Sequence, residues 1–179
     1  MNFWKLLFGS KKKLSQLKST GQLNAIKIAN SDNAPVLVAP VTGELKEIKS
    51  SHDDSFKSKS GVMFVPHGGN LMVPVSGIVT ESTSDYLKLT DISEQTVIMT
   101  VVGASTVVRL ARYGIGQQLH AGDVVGTMNQ KILFADHEAL SVYVVWENKT
   151  LPIIRYGSVY AGQNIWQVKE LHNGDESND

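Results

Sequence analysis

One seven-residue pattern occurs twice: Ala39-Pro40-Val41-Thr42-Gly43-Glu44-Leu45 and Val73-Pro74-Val75-Ser76-Gly77-Ile78-Val79. Each copy sets a proline in an apolar run and follows it with a hydroxyl residue and a glycine. Proline cannot donate to a sheet ladder, so each copy predicts an edge strand or a bulge. The hydroxyl-glycine pair predicts a tight turn, because glycine adopts positive φ without steric cost. Two copies do not make a solenoid. They predict two related β units packed in one domain.

From Pro35 to about Glu170 the chain is a series of short apolar runs separated by turn residues. Val36–Ala39, Val62–Val65, Leu71–Val73, Thr96–Met99 and Val142–Trp146 are rich in β-branched and aromatic residues and are flanked by Gly, Pro, Asn or Asp. That composition and length predict strands, and strands so short and closely spaced predict a barrel or sandwich. Residues 129–140 have room for a short helical turn. In Leu119-His120-Ala121-Gly122-Asp123-Val124-Val125-Gly126 the Gly-Asp pair is a hairpin-type signal, with the aspartate placed to accept from nearby backbone N–H groups. Biotinyl and lipoyl carriers share that pattern, but no lysine stands at these turns to carry a cofactor.

The flanks differ from this domain. Residues 1–18 form a basic amphipathic segment, in which Phe3 with Leu7, and Trp4 with Phe8, are i,i+4 pairs on one side, with Lys5 and Lys11–Lys13 nearby. Phe3, Trp4, Lys5, Leu7 and Phe8 are the residues expected at a membrane surface. Each basic residue near an anionic bilayer surface gains about 1 kcal/mol. The other readings are that Trp4 and Phe8 dock on the domain, or that the segment is a floppy tail. If the segment binds membranes, deleting residues 1–13 abolishes sedimentation with anionic vesicles, and salt weakens it in the full chain; salt-independent binding would contradict the lysine role. Residues 19–34 are a polar linker, 35–170 the β domain, and 171–179 an acidic tail expected to be disordered.

Lys+Arg and Asp+Glu both number 17, so no net charge draws the chain to nucleic acid, and there is no cysteine to serve as disulfide, nucleophile or thiolate ligand. The lysines follow the short apolar stretch at the start, the reverse of a secretory signal. No run approaches the roughly 18 apolar residues of a membrane span. A cytoplasmic protein is expected, held at most to the inner membrane face.

Taken in order, these elements resemble the glucose-type IIA domain of the phosphoenolpyruvate:sugar phosphotransferase system. The resemblance rests on Ala39 to Ile48, on Gly61-Val62-Met63-Phe64-Val65-Pro66-His67-Gly68-Gly69-Asn70 followed by Val73-Pro74-Val75-Ser76-Gly77, on Gly122-Asp123, on Val144-Val145-Trp146-Glu147-Asn148, and on Gly157-Ser158-Val159-Tyr160-Ala161-Gly162. It spans about residues 36–170. It implies an all-β fold, an antiparallel β-sandwich or flattened barrel, preceded in some relatives by a short amphipathic helix. It also implies partners, an HPr-like phosphocarrier and the cytoplasmic domain of a sugar permease, and no cofactor.

The resemblance further implies two histidines, one that takes the phosphoryl group and one that donates to its oxygens. The nucleophile's frame matches Met99-Thr100-Val101-Val102-Gly103-Ala104-Ser105-Thr106-Val107, and its histidine position falls on Val101. The supporting histidine falls near Thr83-Ser84-Asp85-Tyr86, best matched by Asp85, and Ser105 replaces an acid. A valine has no lone pair to offer phosphorus. Asp85 could form an acyl phosphate, a chemistry that generally needs a metal to offset charge. His52, His67, His120, His137 and His172 match no family position and no metal-ligand spacing, and read as surface turn residues; among them His67, in its glycine-rich turn, is the most accessible.

The expectation is therefore a catalytically silent IIA-like protein that binds partners through an apolar face of Met99, Val101, Val102 and Val107. The enzyme alternative is phosphotransfer on a displaced acceptor, Asp85 or His67. A third reading is a polysaccharide-handling or envelope β domain that shares only the architecture.

Overall fold

Apolar and polar residues alternate along Tyr86-Leu87-Lys88-Leu89-Thr90-Asp91, and the two leucines are buried while the residues between them are half-exposed. That is the period of a strand with one face on a core. The computed structural model describes residues 37–103, 108–129, 140–147 and 153–167. The amphipathic segment 1–18, with its expected membrane-surface residues Phe3, Trp4, Lys5, Leu7 and Phe8, lies outside the described residues. So do the linker 19–34, most of the 129–140 stretch, Val107 and the tail.

The strands are β1 (Gly43–Glu47), β2 (Gly61–Pro66), β3 (Asn70–Met72), β4 (Gly77–Ser82), β5 (Tyr86–Asp91), β6 (Thr96–Val102), β7 (Val108–Leu110), β8 (Gln118–Leu119), β9 (Val124–Met128), β10 (Ser141–Glu147), β11 (Ile153–Ile154), β12 (Gly157–Val159) and β13 (Trp166–Gln167). Eight form one sheet in the order β12-β1-β2-β10-β6-β5-β4-β8; β3-β9-β7 and β11-β13 form two smaller ones. Every pairing is antiparallel. The fold is all-β, as expected.

One face of the large sheet, through Leu45, Val62, Phe64, Val79, Leu87, Leu89, Val97, Met99, Val142, Val144 and Trp146, packs with the smaller sheets' Leu71, Val108, Leu110, Val125 and Met128 into the main core. Full burial of each such side chain contributes roughly 1.5–3 kcal/mol. The opposite face is covered around β2 and β10. There Phe56, on the four-residue helix α1 (Asp54–Lys57), stacks on Tyr143 at 3.9 Å, and the Tyr143 hydroxyl lies 2.7 Å from Ser51 Oγ. Ile48, Met63 and Val145 complete this second cluster. It explains how β10 can bury side chains on both faces.

The two sequence copies occupy corresponding places. Val38 N–H donates to Pro74 C=O (2.9 Å) and Met72 N–H to Pro40 C=O (2.8 Å); Ala121 N–H donates to Ser76 Oγ and Ala161 N–H to Thr42 Oγ1, both at 3.0 Å. The order of the large sheet reads the same from either end once β1/β4, β2/β5, β10/β6 and β12/β8 are exchanged.

Three local expectations change. Pro40 and Pro74 precede β1 and β4 rather than sitting in edge strands, and their carbonyls tie one copy to the other. Gly43 and Gly77 do not have positive φ. A Cβ on Gly43 would lie 2.1 Å from Val65 O, and one on Gly77 2.5 Å from Thr90 O, so close approach of the neighbouring strand is what requires glycine there. Finally, Gly122-Asp123 is not a hairpin: β8 pairs with β4 whereas β9 pairs with β3 and β7, so this turn moves the chain between sheets. Gly122 does take φ +87°, and Asp123 Oδ2 accepts from His120 N–H at 2.8 Å.

Candidate functional site

β5 and β6 are antiparallel neighbours, with Tyr86 opposite Thr100. One residue beyond that pair, Val101 N–H donates to the Asp85 carbonyl at 2.9 Å. The two positions expected to correspond to the family's histidines are therefore adjacent across the sheet, although sixteen residues separate them in the chain. That is close enough for two side chains to act on one group, since cross-strand neighbours hold their Cβ atoms about 5 Å apart.

The loop that presents Asp85 is built by Thr83. Its Oγ1 accepts from the backbone N–H groups of Asp85 and Tyr86, each at 3.1 Å, and Thr83 N–H donates to Tyr86 C=O at 2.9 Å. Ser84 Oγ donates to Asp85 Oδ1 at 3.0 Å. Leu110 N–H reaches Ser84 C=O at 3.4 Å and so anchors the loop to β7. The Tyr86 hydroxyl donates to Glu81 Oε1, and that hydrogen bond, before the smaller effects of desolvation and the carboxylate's charge, holds the phenol above its ordinary pKa.

Past Val101 the strand ends at Gly103, whose φ is +134° and whose missing Cβ would meet Leu140 Cδ1 at 2.9 Å. The glycine of the frame is thus a requirement of the backbone. It remains whether or not a histidine precedes it.

The expected docking face is not a single surface. Met99 is 1% exposed and belongs to the main core, so its side chain is not available to a partner. Val101 is half-buried against that same core, whereas Val102 packs on the second cluster with Val65. Successive residues of a strand point to opposite faces, so Val101 and Val102 lie on different sides of the sheet. Beside Val101 across the sheet lies the Asp85 loop. Thr83 and Ser84 build that loop, which their ordinary residue types did not signal.

The chemistry this arrangement offers is narrow. Val101 contributes surface only. Asp85 offers a carboxylate that accepts from Ser84, and among the described residues no three His, Cys, Asp or Glu side chains converge as a metal-ligand set. His52, His67 and His120 are all exposed; His137 and His172 lie outside the described residues. His120 stands 3.6 Å from Asp123 through Nδ1, and the corresponding turn holds Tyr160 in its place. A tyrosine meets the same backbone requirement, so the imidazole is not needed to build the turn.

Comparison with protein-family models finds no match, and comparison with curated proteins finds none either. Among solved structures the chain is similar to glucose permease IIA from Mycoplasma capricolum, with a TM-score of 0.63 and 19% identity, over 74% of this chain and 95% of that one. At that identity the likeness establishes the fold, the all-β IIA fold. Among the described residues no helix is long and apolar enough to cross a membrane.

Proposed function

We propose that this chain is a IIA-like protein of the sugar phosphotransferase system that does not carry phosphoryl groups and acts by binding. Its partner is a phosphocarrier of the HPr kind or the cytoplasmic domain of a sugar permease, and its compartment is the cytoplasm. The observation that supports the reading is the hydrogen-bonded pair Val101–Asp85 on a fold of the IIA kind. The geometry of a two-histidine centre is kept there, and the groups that attack and stabilise phosphorus are not. The docking surface centres on Val101 and the Thr83–Asp85 loop.

Intact-mass measurement after incubation with phosphoenolpyruvate, enzyme I and HPr tests the silent half of this reading, and titration with HPr or a permease cytoplasmic domain tests the binding half. The expected result is an unchanged mass together with saturable binding to at least one partner. A gain of one phosphoryl mass would instead identify a displaced acceptor, Asp85 or His67. Failure to bind any of these partners would remove the docking proposal.

A further inference from the structure

The corner where β11, β12 and β13 meet holds a cleft of about 200 Å³, lined by Arg155, Tyr156, Ser158, Gln163, Asn164 and Trp166 among others. That is below the usual 300–1,000 Å³ of drug-sized sites and suits a ligand about the size of a monosaccharide phosphate. Two of its amides have a settled orientation. Asn164 Oδ1 accepts from Trp166 N–H at 3.0 Å, and Gln163 Oε1 accepts from Tyr160 N–H at 2.9 Å. A backbone N–H can be met only by the amide oxygen, so the NH₂ ends of both side chains are left as donors, uncommitted among the described residues. Arg155 makes no ion pair among the described residues. Among the described residues the lining contains no Asp or Glu. The nearby acid felt here is Glu47, which adds to burial in holding the Tyr156 phenol above its ordinary pKa.

The correspondence between the halves separates what the fold requires from what it does not. The turn Tyr160–Gln163 matches His120–Asp123, with Asp123 N–H and Gln163 N–H closing the same bond at 2.9 Å. Ala161 and Gly162 recur there as Ala121 and Gly122, and buried Val159 and Ile165 as buried Leu119 and Val125. The cleft residues do not recur. Counting along from the matched turns, Arg155, Tyr156, Asn164 and Trp166 stand where the other half has Ile115, Gly116, Val124 and Gly126, and Gln163 replaces the acid Asp123. Past the matched turn, at 163, 164 and 166, the other half carries an acid, a valine and a glycine, so the turn does not require the cleft's amides and ring there; at Tyr156 the two backbones part, since Gly116 has φ +87° and Tyr156 has no positive φ.

We propose that this cleft binds a small oxyanion-bearing ring compound of the hexose-phosphate class. The guanidinium and the two amide NH₂ groups take the oxyanion, and the aromatic side chains offer apolar faces to the ring. The proposal does not depend on the docking reading, because the cleft shares no residue with Val101 or the Thr83–Asp85 loop.

Calorimetric titration of the full chain with a hexose phosphate, the free hexose and inorganic phosphate provides the test. One-to-one binding of the hexose phosphate at millimolar affinity or better is expected, at least ten-fold tighter than either fragment. Arg155→Ala removes the guanidinium from an exposed position. Asn164→Asp keeps the oxygen that caps Trp166 N–H and replaces the donor with a negative charge. Each should weaken binding ten-fold or more, whereas Arg112→Ala, at an exposed arginine outside the cleft, should leave it unchanged. Absence of binding, or binding that survives both cleft variants, or equal loss in Arg112→Ala, overturns the site. Inorganic phosphate binding as tightly as the hexose phosphate overturns the ring-bearing ligand.

Discussion

Gly43→Ala is expected to destabilise the domain by about 3 kcal/mol or more, at the upper end of what overpacking costs. The methyl group would sit 2.1 Å from Val65 O and 3.0 Å from Pro66 Cα, and both are backbone atoms. Neither can move aside by changing rotamer. β1 is held by β2 on one side and β12 on the other, with Gly43 paired to both Pro66 and Val159, so relief means opening one of two ladders. The other glycines give a graded series. Gly77→Ala meets Thr90 O at 2.5 Å and should cost nearly as much. Gly68→Ala meets the Thr42 side chain at 3.2 Å and should cost about 1 kcal/mol or less; Gly114→Ala meets nothing within 4 Å and should stay within about 0.5 kcal/mol. Urea midpoints at unchanged slope measure the series. A midpoint for Gly43→Ala close to that of Gly114→Ala would show that β1 and β2 are not in this register.

This series also shows why the repeated pattern was legible and its cause was not. A proline and a glycine at fixed spacing are conspicuous, so the two copies could be aligned by eye. Whether a glycine serves positive φ or the approach of a neighbouring carbonyl depends on a strand distant in the chain, and sequence carries no such partner. The second matched pair, Leu119–Asp123 with Val159–Gln163, shares only the Ala-Gly dipeptide. It becomes visible through equivalent hydrogen bonds.

The candidate site divides in the same way. That Val101 and Asp85 are neighbours across two strands agrees with the ordered motifs, because a strand, a glycine with φ +134° and a two-strand pairing are fixed by backbone geometry. The faces of β6 did not follow. Val97, Met99 and Val101 face the main core, while the other side mixes Thr96 and Thr100 with Ile98 and Val102, of which Val102 reaches the second cluster. Because Val101 and Val102 are consecutive and both apolar, residue type alone groups Met99 and Val102 with Val101, although they differ from it in burial or in face. The cleft gave no signal, because an arginine, two amides and two aromatic residues in an irregular segment match no motif.

On the proposed reading of a chain that gains no phosphoryl group, the combined substitution Val101→His and Asp85→His is expected to yield one that is largely phosphorylated by HPr. The 2.9 Å bond from Val101 N–H to Asp85 C=O sets the two side chains as cross-strand neighbours, so imidazoles at both positions can face one phosphoryl group. The histidine at 101 attacks phosphorus. The histidine at 85 donates to the oxygens, and losing one such donor costs about 100-fold in rate; Val101→His alone should therefore be modified roughly that much more slowly, and Asp85→His alone not at all. Placing a polar ring where Val101 rests on the core costs stability, about 1–3 kcal/mol, so each variant's urea midpoint must be recorded beside its intact mass. Acid lability of the adduct distinguishes phosphohistidine from a stable hydroxyl ester. A double variant that stays folded and binds HPr yet keeps its original mass would mean that Val101 and Asp85 do not stand where the phosphoryl group arrives. The proposed silence would then have to come from the approach of the carrier rather than from the residues at 101 and 85.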